Sequence, residues 1–316
     1  MLLKITLMLL SGSLLFTSGE EDKNNKKKKK SEQTTKDYKL DPKKAPSENF
    51  DLNGWYLSVP TDKDKNGKAD SIYEEDLNSG YQNGKFFYTA KDGGMVFKCP
   101  STGYRTSTNT KYVRVELREM LRASDKKIKT KSLKNNWVFD SAPKDDKKKA
   151  GAIDGEMYAT LKVDKVTTTG DKSKLGRVII GQIHAKNDEP LKIYYRKLPH
   201  NNRGSLYIAH EINNGDDEYY HFVGNKNSSA DDPVDGIALG EVFSYSVKVA
   251  GDDMWVTLIR EGKEDIEIHV DMSESAYNQM GEYMYFKAGL YHPNNNASKK
   301  DYAQVTFYEL NAAHYN

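Results

Sequence analysis

From Phe50 onward, apolar and polar residues alternate in short runs that are broken by Gly, Asn, Asp, Ser or Pro. Alternation sends successive side chains to opposite faces of an extended chain, so each run reads as a half-buried β-strand. The candidate strands are residues 55–59, 85–89, 95–98, 112–120, 156–163, 177–184, 192–196, 205–212, 243–250, 254–260, 283–291 and 304–310. Helical spacing is nearly absent; the best short-helix candidate is 272–280, with Asp271 or Ser273 as its cap. So many strands without interleaved helices predict an all-β fold, a two-sheet antiparallel sandwich or jelly roll whose concave face forms a substrate groove for an extended polymer. Of the 316 residues, roughly 270 follow the pattern, enough for one large domain, residues 49–316.

Three runs carry unusual residues on their polar side: Arg114-Val115-Glu116-Leu117-Arg118, Gln182-Ile183-His184, and Tyr285-Phe286-Lys287-Ala288-Gly289-Leu290-Tyr291. In each, the apolar residues face a core, and Arg114, Glu116, Arg118, Gln182, His184, Tyr285, Lys287 and Tyr291 face the other way. The solvated side of an antiparallel sheet alternates similarly, but it is usually built from Lys, Glu, Thr and Ser. A floor of Arg, Gln, His and Tyr points to chemistry. Polar insertions at 124–150, 213–235 and 294–301 are expected to form the rim of a cleft.

The chain opens with Lys4, a mostly apolar stretch over 5–16, and small residues at Thr17-Ser18-Gly19. Residues 1–19 read as a secretory signal peptide, too short for a stable membrane span. Residues 20–48, with lysines at 26–30, carry too little apolar surface to order and are expected to be a disordered linker. A secreted or periplasmic product follows. Cys99 is the only cysteine, so no internal disulfide forms. A net charge of +2 gives no global reason for nucleic-acid binding, while a local basic groove for an acidic polymer stays open.

At this point the residues resemble the alginate lyases of polysaccharide lyase family 7. The resemblance runs from Trp55 to Phe307 and rests on Trp55-Tyr56-Leu57-Ser58-Val59-Pro60, on Tyr112-Val113-Arg114-Val115-Glu116-Leu117-Arg118-Glu119-Met120, on Ile180-Gly181-Gln182-Ile183-His184, and on the run from Tyr285 to Tyr291. It implies a β-jelly roll acting on alginate by β-elimination, and a monomer is expected. Two departures stand out: Val115 where the family usually has Ser or Thr, and Pro293 where it often has Gln. Val115 faces away from the cleft, whereas Pro293 is expected to alter a subsite. Ile183 resembles members that accept guluronate-containing blocks.

β-Elimination on a uronate requires that the carboxylate be neutralised, the C5 hydrogen removed, and the departing O4 protonated. Arg114 and Gln182 are the expected neutralisers, and His184 is the expected base toward guluronate. Tyr291 is the expected acid, and would also serve as base toward mannuronate if nearby Lys287 or Arg114 lowered its pKa. Glu116, Arg118, Tyr285 and Lys287 are the expected substrate-binding and orienting residues. No cofactor is required by this chemistry.

Asp62-x-Asp64-x-Asn66-Gly67-x-x-Asp70 resembles the start of a calcium loop, but Tyr73 stands where the bidentate Glu belongs. Structural calcium at Asp62, Asp64, Asn66 and Asp70 competes there with a plain Asp/Asn/Gly turn. A lyase for a different uronic-acid polymer is one alternative, and two further functions compete with lyase chemistry itself. A noncatalytic carbohydrate-binding jelly roll would not need the His184 and Tyr291 pair, and a glycoside hydrolase would need two carboxylates beside the scissile bond, for which Glu264, Asp265 and Glu267 are the sequence's offer.

Overall fold

Two antiparallel sheets account for nearly all regular structure in the computed structural model, which describes residues 38–315. The first, nine-stranded sheet runs in the order β11 (Asp217–Val223), β10 (Arg203–Glu211), β9 (Leu191–Arg196), β8 (Arg177–His184), β16 (Tyr285–His292), β5 (Val113–Glu119), β1 (Trp55–Val59), β2 (Asp70–Ile72), with β12 (Ile237–Ala238) joined to β10. The second, eight-stranded sheet runs β15 (Ile266–Asp271), β14 (Asp253–Ile259), β13 (Val242–Ala250), β7 (Ala152–Lys165), β17 (Tyr302–Tyr315), β4 (Met95–Pro100), β3 (Phe87–Thr89), with β6 (Trp137–Val138) lying parallel to β7. Hairpin neighbours alternate with pairs far apart in sequence, such as β8–β16, β16–β5 and β17–β4, as in a jelly roll.

The alternation that predicted the strands also builds the core. Leu57, Val115, Leu117, Ile180, Ile183, Phe286 and Leu290 point inward from the first sheet and meet Phe97, Leu161, Val247, Val256 and Phe307 of the second, all buried. Each such side chain contributes about 1.5–3 kcal/mol by leaving water. Phe87, Phe97 and Phe307 pack edge to face with centroids 5.2–5.3 Å apart. Between the sheets the Tyr245 hydroxyl donates to the Ile180 carbonyl at 3.2 Å. Gly181 makes room for it, since a Cβ there would lie 2.5 Å from that oxygen.

Several expectations need correction. Residues 38–48 are ordered, not linker-like: Tyr38 stacks on Tyr308 at 5.1 Å, Leu40 packs on the core, and Asn49 bonds Asp41 through both backbone groups. The expected signal peptide and residues 20–37 lie outside the described residues. No helix forms over 272–280, where Ala276 has φ +60° and Tyr277 is buried with its hydroxyl on the Glu211 carbonyl. The 213–235 insertion contains β11, and 124–150 passes through the core at Trp137 and Phe139. Cys99 is buried and free. Among the described residues no helix is long and apolar enough to cross a membrane.

Candidate active site

The strand order β8, β16, β5 sets the three sequence motifs side by side at the centre of the first sheet. Register then fixes who faces whom: Tyr285 opposes His184 and Lys287 opposes Gln182 across β8, while Lys287 opposes Arg118, Gly289 opposes Glu116 and Tyr291 opposes Arg114 across β5. The eight polar residues picked out by alternation therefore come together. Above them opens a cleft of about 830 Å³ lined by Arg114, Arg118, His184, Tyr285, Lys287 and Tyr291, with Pro293 at its edge. Its further wall includes Tyr56, Lys131, Arg177, Glu189, Lys192 and Tyr219, residues that alternation did not single out.

Two bulges aim the site. Strand β16 slips register against β8 between Ala288 and Tyr291, and β8 slips against β9 between Ile179 and Gly181. Bulges redirect side chains and bend strands, and these lie beside the site residues. Gly289, within the first bulge, has φ +127°, and a Cβ on it would lie 2.9 Å from the Phe97 ring and 3.0 Å from the Glu116 Cα. Only glycine fits that position without strain.

Glu116 and Gln182 lie beneath the floor, each 1 % exposed. Glu116 is the hub: Arg114 donates to its Oε2 at 2.8 Å, Lys287 contacts the same oxygen, and the Gln182 amide donates to Oε1. Burial works against the Glu116 charge, but Lys287 and Arg114 overcome it and hold its pKa below the usual carboxylate value. Burial and the Arg114 charge push the Lys287 ammonium down to about 8. Two cations thus share one buried carboxylate.

The Arg114 guanidinium lies over the Tyr291 ring, 4.0 Å from its centroid, and Tyr112 meets the same ring edge-on at 5.9 Å. Burial raises the Tyr291 pKa more than Arg114 lowers it. The phenol therefore keeps its proton near neutrality, as an acid requires.

His184 stacks on Tyr285 with centroids 5.0 Å apart and a 13° angle. Its Nδ1 sits 2.6 Å from the Ala185 carbonyl, an arrangement that places the proton on Nδ1 and the lone pair on Nε2. Burial, then Lys287, depresses its pKa to about 3, so the ring is neutral at ordinary pH. Nε2 faces the Glu189 carboxylate at 3.2 Å. Alternation could not have found Glu189, which sits on the loop after β8; an acid so close to the candidate base was the available signal.

Arg118 lines the cleft but its donors are engaged: Nη1 on the Glu119 carbonyl at 2.7 Å, and Nη2 on Asn136 Oδ1 at 2.7 Å and the Thr130 carbonyl at 3.2 Å. Its guanidinium face covers Tyr285 at 3.8 Å. Arg118 braces the site and its rim loop while its side chain still lines the cleft, and Glu116 lies below the floor.

The acidic turn at 62–70 folds on itself. Asp62 accepts from the backbone amides of Asn66 and Gly67, Asp64 accepts from Asn66, and Asp70 accepts from Thr61 and Lys63. Those carboxylates satisfy backbone donors as in an Asx turn. Among the described residues no three His, Cys, Asp or Glu are grouped to hold a metal ion. Glu264, Asp265 and Glu267 lie exposed at or beside edge strand β15 of the second sheet, and none lines the cleft.

Comparison with known proteins agrees with this geometry. Residues 50–314 match the sequence model of the alginate lyase family. The chain is 52 % identical over 280 residues to an alginate lyase of Klebsiella pneumoniae, spanning 85 % of this chain and 91 % of that one. The crystal structure of the alginate lyase from that organism superposes with a TM-score of 0.83, covering 85 % of this chain and 98 % of the other. The exolytic PL7 alginate lyase of Zobellia galactanivorans, at 26 % identity, gives a TM-score of 0.66 over 85 % and 98 % of the two chains. A Pseudomonas aeruginosa alginate lyase, at 25 % identity, gives 0.61 over 84 % and 99 %. The chain belongs to the alginate lyases of polysaccharide lyase family 7.

Proposed function

We propose that this alginate lyase cleaves the 1,4-linkages of its polymer by β-elimination, preferring guluronate-containing blocks, and leaves an unsaturated 4-deoxy uronate at the new non-reducing end. The observation that carries the mechanism is the charge of the floor. Arg114 and Lys287 contribute two positive charges against the single buried Glu116, so one cation's worth of charge is left for an anion in the cleft. A uronate carboxylate supplies it. That pairing stabilises the negative charge that develops as C5 loses its hydrogen. Gln182, buried beside Glu116, holds that carboxylate through an N–H of its amide and so keeps the charge of the floor in place.

His184 Nε2 takes the C5 proton. The freed electron pair forms the C4–C5 double bond, the C4–O4 bond breaks with its pair on O4, and Tyr291 gives O4 its proton. The neutral imidazole and the protonated phenol both suit those roles. Tyr285 carries His184 on its ring face. No cofactor enters the scheme, and the 62–70 loop serves as a hydrogen-bonded turn. Ile183 is fully buried, so it biases sugar preference only through the placement of its neighbours Gln182 and His184. Export by the N-terminal segment would put the enzyme where its polymer is, with the domain acting as a monomer.

Ultraviolet absorbance of the unsaturated ends tests the scheme on separate polyguluronate and polymannuronate. Signal should rise faster on polyguluronate, with and without chelator, and Tyr291→Phe should lower kcat by roughly two to four orders of magnitude while the variant still binds oligosaccharide. Near-normal turnover by that variant removes Tyr291 from the acid's role.

A further inference from the structure

The scheme leaves His184 protonated at the end of each turnover, in surroundings that oppose a second positive charge. Lys287 and Tyr285 of β16 and Arg114 and Glu116 of β5 surround the ring, and the two cations outweigh the one anion. Burial adds to the same effect, pushing the pKa to about 3. Such a ring is present in its base form but binds a proton weakly. Glu189 is the carboxylate placed to change that.

Glu189 Oε1 lies 3.2 Å from His184 Nε2, and Nδ1 is already turned to the Ala185 carbonyl. The loop that carries Glu189 is tied at several points. Ala185 N donates to the Asp188 carbonyl at 2.7 Å, Asp188 Oδ2 accepts from Asn214 N at 2.8 Å, and the Pro190 carbonyl faces His210 Nδ1 at 2.8 Å. On its far side Glu189 Oε2 meets Lys192 Nζ of β9 at 3.5 Å, and Lys192 is shared with Glu211 of β10 and Asp217 of β11. Glu189 remains part of the cleft wall and in reach of solvent.

We propose that Glu189 is the positioning residue of His184: it faces Nε2, steadies the imidazolium formed when the C5 proton is taken, and passes that proton to solvent between turnovers. This rests on His184 being the base. The proton moves from C5 to Nε2, from Nε2 to a Glu189 carboxylate oxygen, and from there to water, while the Tyr291 phenolate left by protonation of O4 takes a proton back from water, which restores the neutral ring, the ionised carboxylate and the phenol. A carboxylate in a cleft built for a polyanion repels the substrate, and its service to the base is what offsets that repulsion.

The test compares Glu189→Gln, Glu189→Asp and Glu189→Ala with His184→Ala on polyguluronate. Glu189→Gln keeps the size of the side chain and loses the charge, so kcat should fall on the order of 10²-fold, the low end of the range for assisted proton transfer, with KM within about twofold. Glu189→Asp should recover part of that loss. Added formate should raise the kcat of Glu189→Ala in a saturable way and leave wild type unchanged, a rescue that a purely structural role would not produce. If His184→Ala is inactive while Glu189→Gln turns over normally, or formate fails to rescue a folded Glu189→Ala, the role of Glu189 is overturned and the base stands. If His184→Ala keeps near-normal activity, the base assignment itself is overturned and the proposal with it.

Discussion

A single buried carboxylate, Glu116, sets the charge of the catalytic floor, because it neutralises one of the two cations beside it and leaves the other for substrate. Lys287 is the weaker of those cations. Its pKa of about 8 lies below the ordinary lysine value, so raising the pH through 8 removes its charge before any other group of the floor changes. KM for polyguluronate should therefore rise above pH 8, and kcat should fall with it, because the same charge stabilises the transition state. Lys287→Arg, which stays charged, should carry that rise past about pH 10, measured as KM against pH; an unmoved profile would remove Lys287 from substrate binding. At this scale the sequence was legible wherever function sat on a strand. Alternation alone placed Arg114, Gln182, His184, Lys287 and Tyr291 on one face, and register then brought them together. It could not show that Glu116 and Gln182 lie beneath that face, or that Arg118 spends its donors on a rim loop, because depth and partner choice depend on the neighbouring strands. Glu189 was hidden for a different reason: loop residues follow no period.

Among the elements, β16 does the most to shape the site, and it does so by breaking its own regularity. The slip between Ala288 and Tyr291 lets Gly289 adopt φ +127° against Phe97 and Glu116, and sets the direction in which Tyr291 emerges. Gly289→Ala should cost about 1–3 kcal/mol of stability, read from the urea midpoint, since an L side chain is strained at that φ and meets both neighbours. It should also lower kcat through misplacement of Tyr291. A variant as stable and active as wild type would show that the bulge relaxes without consequence. Most strands were legible because one face of each is apolar; β8 has the bounds expected of it. Strand β11 was not, since its residues Asp217 to Tyr220 are polar or amphipathic and sit in a polar stretch at the sheet edge. The helix expected at 272–280 failed to form because Met272 and Tyr277 are buried from a run of turns, with Ala276 in the left-handed region and Met280 left exposed.

Across the whole molecule, histidines of opposite character set the pH range in which the two sheets stay joined. Strand β17 ends by placing His314 between the layers, with Nε2 2.7 Å from Glu119 Oε1 of β5, Nδ1 2.6 Å from the Asp154 carbonyl, and its ring against Phe286 and Trp137. Burial opposes its charge, but Glu119 outweighs burial and raises its pKa above 6.5. A raised histidine stabilises the fold fully below its unfolded pKa of about 6.5, and loses that contribution as pH rises through the folded value. His184 and His292 behave in the reverse way, depressed to about 3 and about 4 chiefly by burial. Below about pH 6.5 the unfolded chain takes up protons at these two positions and the folded chain does not, so each costs on the order of 1.4 kcal/mol per pH unit down to its folded pKa. Stability should peak near neutrality and fall on both sides, and the alkaline fall should belong to His314. In His314→Gln the urea midpoint should start lower than wild type below pH 6.5 and decline less as pH rises, so that the two curves converge. A constant gap between them across that range would show that His314 contributes by packing and hydrogen bonding alone, with no part played by its charge.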